Sequence, residues 1–236
     1  TPKKGRSDKI GGSGGIGPMT SRLSLEGPIG EKTTFILGSR LTYSDWLLDY
    51  IAKKTDLGAS RAAFSDFNGT VEHELGAKDK LRLSGYFSTD SFQFDPDTVY
   101  SYSNQNYALS WTHYFNDALE ATFSVGQDAY NFEVEGEDNP LNSYQYRFDI
   151  RQQFVKAQFR QEKGDRHLLS YGVHGIRYQL NPGEILPFGP ESGVISDQVA
   201  PETAMDWSIY LGDEFEINDQ WALSGGLRYN FYTYLG

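Results

Sequence analysis

The chain contains no cysteine. That excludes a disulfide framework, cysteine-ligated zinc and thiol redox chemistry. Methionine is nearly absent, with two among 236 residues, and hydrophobic residues make up only 38%. A helical soluble enzyme carries more Leu, Ala and Met than this. No run of eighteen apolar residues occurs, so no segment is long and apolar enough to cross a membrane as a helix. Cations are also scarce. The 21 Lys and Arg face 32 Asp and Glu, for a net charge of −11. With no basic stripe to neutralise phosphates, nucleic acid is not an expected partner.

Catalytic signatures are missing too. The histidines His73, His113, His167 and His174 show no HExxH or other ligand spacing, and His167 and His174, seven apart, fall on opposite faces of a strand. They read as surface, lumen or turn residues rather than metal ligands. No G-x-S-x-G elbow is present. The stretch GGSGG at 11–15 is not followed by a helix or lysine, so it is no phosphate loop. No acid, base or nucleophile constellation emerges, and neither an enzyme nor a cofactor is expected.

What the sequence does contain is aromatic residues, 16 Tyr and 15 Phe, together with 25 Gly. Their arrangement has a period of two. In WALSGGLRYNFYTYLG (221–236), Trp221, Leu223, Gly225, Leu227, Tyr229 and Phe231 alternate with Ala222, Ser224, Gly226, Arg228, Asn230 and Tyr232. The same alternation recurs in MTSRLSLEGPI, TTFILGSRLTY, LRLSGYFS, NYALSWTHYF, ALEATFSVGQ, LLSYGVHGI and WSIYLGDEF. Repeated apolar/polar alternation predicts strands with one apolar face. About eleven are expected, near 8–15, 19–29, 33–43, 65–76, 80–94, 101–115, 118–133, 143–162, 166–180, 204–217 and 220–233.

The connectors alternate in length. Short Gly/Asn/Asp turns fall at 30–32, 77–80, 116–117, 163–166 and 218–220. Longer segments fall at 44–64, 89–101, 134–142 and 181–203. Sandwiches show no such asymmetry between their two ends. Antiparallel membrane barrels do, with short periplasmic turns, long extracellular loops and strands of about 9–11 residues across the bilayer. Trp221 and Tyr229 lie eight positions apart on one face. At about 3.3 Å per residue and a tilt near 40°, they stand roughly 20 Å apart along the membrane normal, matching aromatic girdles around a thin apolar band. Trp111, Trp207 and Phe231 are expected in the same girdles. Arg22, Arg40, Arg82 and Arg228 all fall in the polar phase and are expected to face the lumen, because arginine on the lipid face at midplane costs about 2–4 kcal/mol.

At this point the residues resemble a known family. GGIGPMTSRLSLEGPIGEKTTFILGSRLTYSDWLL (14–48) resembles the first barrel hairpins of TonB-dependent outer-membrane receptors, particularly those of Bacteroidetes-type bacteria. KDKLRLSGYFSTDSF (78–92) and LGDEFEINDQWALSGGLRYNFYTYLG (211–236) resemble later hairpins. The resemblance implies a 22-stranded barrel filled by a plug, energised through TonB, importing a scarce ligand such as a siderophore, cobalamin, glycan or peptide into Gram-negative bacteria. Residues 1–236 are then expected to be a partial outer-membrane β-barrel, its N-terminal half, with the plug and second half lying outside this sequence. The implied partners are outer-membrane lipid, the remainder of the barrel and plug, TonB through that plug, and a surface lipoprotein.

Two further stretches bear on ligand capture. DWLLDYIAKK (45–54) spaces Trp46, Leu47, Tyr50 and Ile51 for one helical face. Trp46 and Tyr50 are candidates for a loop contact with ligand or partner, beside the plainer reading of a loop helix packed on its own barrel. The acidic segments EVEGEDNP (133–140) and TDSFQFDPD (89–97) offer oxygen ligands for calcium, but neither follows the EF-hand pattern, and solvated acidic loops are the simpler reading. The principal alternative is a self-contained outer-membrane pore of ten to twelve strands. An outer-membrane enzyme, a structural anchor and a soluble β-rich binding protein rank below it.

Overall fold

The computed structural model describes residues 4–43, 61–93 and 97–236. They form one antiparallel sheet of twelve strands, eleven on a continuous path and one short strand beside it. The path runs β1 (Gly11–Ile16), β2 (Thr20–Ile29), β3 (Thr33–Thr42), β4 (Arg61–Glu74), β5 (Asp79–Gln93), β6 (Thr98–Asn116), β7 (Leu119–Gly136), β8 (Tyr144–Lys163), β9 (His167–Pro187), β11 (Glu202–Asn218) and β12 (Trp221–Tyr234). The two-residue β10 (Asp197–Gln198) pairs with β9. Each strand on the path pairs with the one before it on the path, so the connectivity is a plain meander. The helix-like stretch 45–54, including Trp46 and Tyr50, lies outside the described residues.

Eleven strands on the path agree with the alternation, but several ends differ. β9 runs to Pro187 rather than 180, and β10 falls inside what the sequence presents as a loop. The pattern breaks at Pro182 because the strand bulges there. Asn181 pairs with Asp149 and Glu184 with Arg147, with Gly183 at φ 152° between them. A bulge absorbs a proline that a regular ladder would reject. β4 begins four residues earlier than expected, and β5 and β6 leave only 94–97 between them, so the segment 89–101 is mostly strand rather than loop. At the facing ends of β5 and β6 both faces turn largely polar or aromatic, and a rule based on apolar alternation stops too soon.

Among the described residues nothing forms a second layer on the sheet. Among the described residues the buried hydrophobics are Ala121, Val134 and Ala204, while Leu83, Leu109, Val125, Ile209, Leu211 and Leu223 are 45–63% exposed. These exposed residues share one face. The ladder row Phe35, Val71, Leu83, Leu109, Val125, Val155, Gly175, Trp207 and Phe231 crosses nine strands without a polar side chain. The opposite face carries rows such as Glu72, Arg82, Ser110, Ser124, Lys156, His174, Ser208 and Asn230.

The apolar row also measures the slant of the strands. It lies about two residues from the short turn on β3 and about ten from it on β12, eight strand steps later. The stagger is therefore about one residue per strand. With a rise of about 3.3 Å and a strand spacing of about 4.8 Å, the strands tilt by roughly 35° from the normal to the turn plane, inside the range of membrane barrels.

Glycine allows close packing at several points of this sheet, Gly126 and Gly175 among them. A methyl group on Gly126 would sit 2.6 Å from both the Phe154 ring and the Tyr107 carbonyl oxygen, and one on Gly175 would sit 2.6 Å from the Trp207 ring. Each aromatic ring covers a glycine on the neighbouring strand, which protects its backbone. Gly126→Ala is therefore expected to destabilise by about 1–3 kcal/mol through overpacking, lowering the temperature of the heat-induced shift in electrophoretic mobility. Gly85→Ala, whose added methyl meets nothing nearer than 3.8 Å, leaves that temperature unchanged.

Candidate ligand-facing surface

The polar face divides into two zones. Nearer the short turns it holds compensated charges and small hydroxyl ladders. Arg82 lies beside Glu72, at 2.5 Å from Nη2 to Oε2, and Lys4 reaches Glu72 at 3.6 Å and Glu74 at 3.3 Å. Glu72 is 9% exposed, so its charge depends on these partners. Thus the segment preceding β1 is tied to the polar face of β4. In that segment Asp8 takes a hydrogen bond from Arg6, which holds its carboxyl below the usual range. Further across, Ser110 and Ser124 bond at 2.8 Å, Thr112 and Thr122 at 2.9 Å, and Arg228 donates to the buried Ser208 hydroxyl at 2.8 Å.

Toward the longer connectors the same face becomes aromatic. Phe92 on β5 stacks on Tyr100 at 4.8 Å and on Tyr102 at 5.6 Å. Tyr102 meets Phe132 on β7 at 5.0 Å, and Phe132 meets Phe148 on β8 at 4.9 Å. Tyr130 and Tyr146 flank Phe148 at 5.8 and 6.4 Å. The result is a continuous ridge across four strands. All seven rings are half-buried, so each keeps surface that another molecule can cover. At one end the Arg40 guanidinium lies 4.8 Å over the Phe64 ring and 2.7 Å from Asp66. At the other, two connectors interlock above the ridge. Ser192 Oγ donates to the Ser143 carbonyl at 2.5 Å, and the Gly193 amide to the Leu141 carbonyl at 2.8 Å.

The arginines singled out by sequence share this face but do not converge. Arg22 stands directly across the ladder from Arg40 and is exposed. Arg40 borders the ridge, Arg82 belongs to the Glu72 cluster, and Arg228 lies at the β11–β12 side. The aromatics Trp111, Trp207, Trp221, Tyr229 and Phe231 all project from the apolar face and are 41–68% exposed. Trp111 and Trp221 stand at the short-turn end. Trp207 and Phe231 are ladder partners toward the other end, next to Tyr229. Of the histidines, His174 lies on the polar face, whereas His73, His113 and His167 lie on the apolar face close to the short turns.

The aromatic ridge escaped the sequence reading, though its signal is present. Tyr-Ser-Tyr at 100–102, Tyr-Asn-Phe at 130–132 and Tyr-Arg-Phe at 146–148 put paired aromatics in the polar phase of three successive strands.

The family model described as TonB dependent receptor-like, beta-barrel matches residues 33–236. No curated protein matches the chain by sequence. Solved structures share its fold. BauA, the ferric preacinetobactin receptor of Acinetobacter baumannii, superposes with TM-score 0.71 at 11% identity over 97% of this chain and 42% of its own. FpvA of Pseudomonas aeruginosa, bound to heterologous pyoverdines, gives 0.69 at 13% over 98% and 37%. Fiu, the ferric-catecholate import receptor of Escherichia coli K12, gives 0.69 at 13% over 98% and 45%. The chain thus spans about two fifths of the length of these structures.

The Glu72 cluster generates a prediction of its own. Arg82→Gln leaves a nearly buried carboxylate with only the more distant Lys4 beside it and is expected to cost about 1–3 kcal/mol. Glu72→Gln in the same chain restores most of the loss, a coupling that a double-mutant cycle of thermal midpoints measures.

Proposed function

Since the chain belongs to the TonB-dependent receptor β-barrel family, we propose that it forms part of the wall of an outer-membrane importer, with the apolar face against lipid and the polar face toward a plugged lumen. The observation that carries this reading is the uncovered apolar row, which crosses nine strands while the sheet buries almost nothing of its own. Hydrocarbon covers such a face without a second protein layer. The roughly 35° strand tilt supports the same reading, as do strands of 17–21 residues on β6–β9 and β11, well beyond the 9–11 needed to cross a bilayer. The surplus stands as a wall beyond the membrane at the longer-connector end.

In this reading residues 1–236 are a partial barrel, and Arg22, Arg40, Arg82 and Arg228 face the plug or the passing ligand. Trp111 and Trp221 mark the periplasmic margin, and Trp207, Tyr229 and Phe231 the outer one. Plug, TonB and a surface lipoprotein are partners of the whole protein. The alternative of a self-contained pore requires β1 to pair with β12, and among the described residues no such pairing occurs.

The aromatic ridge suits a ligand with flat, unsaturated surface, because ring-on-ring contacts are worth about 0.5–1.5 kcal/mol each beyond the area they bury. The structural relatives whose names specify ferric siderophores favour that class. Binding at the ridge would precede plug rearrangement, and the chemistry is transport without a catalytic step. Cells depending on this protein for iron are expected to lose about ten-fold or more in uptake of radiolabelled ferric siderophore when Tyr102 and Phe132 are both replaced by alanine. Unchanged uptake, with the protein still present in the outer membrane, would sink the ligand assignment. Separately, Leu109→Arg is expected to lower folded yield in the membrane by about 2–4 kcal/mol of stability, whereas Ser124→Arg on the polar face is tolerated.

A further inference from the structure

The histidines close to the short turns are not scattered. Two of them sit with the same three companions, an Asp, a Phe and a Lys, at separate places along the margin of the apolar face. At the first, His113 Nδ1 lies 2.7 Å from Asp79 Oδ1, and Trp111 Nε1 donates to the same oxygen at 3.0 Å. Phe115 packs edge-on against the His113 ring at 4.6 Å, and Lys78 donates to the Phe115 carbonyl at 3.3 Å. At the second, His167 Nδ1 lies 2.7 Å from Asp213 Oδ2, the ring stacks on Phe215 at 4.6 Å, and Lys163 is its cross-strand partner.

The carboxylate fixes the chemistry of each ring. An ionised Asp has no proton to give, so Nδ1 carries the hydrogen and the carboxylate accepts it. That leaves Nε2 on the far side of the ring from the Asp, with the ring plane held by phenyl packing. His113 and Asp79 keep 26% and 32% of their side-chain surface exposed, and His167 and Asp213 keep 43% and 37%. Lys78 and Lys163 are exposed beside them. Immediately above begin the apolar side chains Leu81, Phe123, Tyr171 and Leu211. An oriented imidazole and an ammonium at the foot of an apolar wall match an amphiphile with an anionic head.

We propose that these two sites seat the phosphate groups of membrane phospholipids, whose acyl chains lie along the apolar face. In each seat the ring donates from Nδ1 to its aspartate, and with a second proton taken up from solvent it donates from Nε2 to the lipid phosphate as well. The lysine supplies a second cation, and the phenyl ring supports the first glycerol carbons. His73 provides an internal contrast. It bonds Thr33 Oγ1 at 2.8 Å rather than a carboxylate, so nothing comparable orients it and it forms no seat. The proposal rests on the outer-membrane reading, because only there does this margin meet a phospholipid leaflet.

The test is native mass spectrometry of the whole protein purified from outer membranes. It is delipidated in detergent and titrated with dioleoylphosphatidylglycerol, or with dioleoylglycerol as the phosphate-free counterpart. His113→Leu and His167→Leu are each expected to retain one phospholipid fewer than the native protein, and the double variant two fewer. His73→Gln loses none, and dioleoylglycerol is not held at these positions. Variants whose heat-modifiable mobility shows a misfolded barrel are replaced by Lys78→Gln in its exposed turn and Lys163→Gln at the exposed end of β8, which lower retention at the same two seats. A double variant retaining as many phospholipids as the native protein overturns the proposal. Equal retention of dioleoylglycerol does so as well, as does displacement of the lipid by millimolar inorganic phosphate. Failure of the protein to fractionate with outer membranes would instead refute the receptor reading, so the two failures are distinguishable.

Discussion

A single sheet with an apolar face that none of the described residues covers is the constraint on which the rest of this structure depends. Ordinary domains bury such a face against a second layer. Among the described residues the meander supplies no α-helix and no returning strand to do so. The apolar side chains Leu109, Val125, Ile209 and Leu223 remain open and need an environment as apolar as themselves. A bilayer provides it but removes the option of leaving backbone groups unpaired, since water is absent there. Both requirements act together. They favour long strands in antiparallel register, which is what pairs every strand on the path from β2 to β11 on both sides.

Tilt follows from the same constraint. The apolar belt must stay level with the membrane while the ladder rows climb by about one residue per strand. A row that starts farther from the short turns than Phe35 therefore begins apolar and leaves the belt: Leu37 and Tyr107 give way along one ladder to Gln127, Gln153 and Arg177. Those amides and that guanidinium sit where the strands outgrow the belt. Beyond that line neither face is obliged to be apolar. The polar-phase positions freed in this way hold Tyr100, Tyr102, Tyr130, Phe132, Tyr146 and Phe148. The ridge is thus a consequence of surplus strand length, placed on the inner side of a wall already rigid from its hydrogen-bond ladder.

How much of this was legible in the sequence depends on where the two faces differ in polarity. Within the belt they differ strongly, and the alternation around Leu83, Leu109, Val125 and Leu227 located both the strands and their outward face. Above the belt the contrast fades. β6 starts at Thr98, amid Tyr100, Ser101 and Tyr102, where no hydrophobic period marks a strand. β9 continues through Pro182 because the bulge at Gly183 absorbs it, information that lies in the pairing with Asp149 and Arg147 rather than in β9 itself. The arginines could be assigned to a face from parity alone. Their partners could not. Asp66 is 26 residues from Arg40, and Ser208 is 20 from Arg228; only strand register brings them together. The His–Asp pairs were hidden for the same reason, with 34 and 46 residues separating their members.

The distance between this chain and its structural relatives has a physical explanation in the same terms. At 11–13% identity the backbones still superpose with TM-scores near 0.7. Lipid contact asks a position only to be apolar, so Leu, Val, Ile and Phe exchange there without a complementary core to refit. Lumen positions ask for small or polar groups satisfied across the ladder, which Ser–Ser, Thr–Thr and Asn–Ser pairs all provide. What cannot drift is parity and length, because a one-residue slip moves every apolar side chain to the polar face. A fold held by pattern rather than by individual contacts leaves its residues free to diverge. Groups that exceed the pattern's needs, such as the ring-covered edge of β5–β8 and the carboxylate-oriented histidines at the turn margin, are therefore where this chain's own specificity is most reasonably sought.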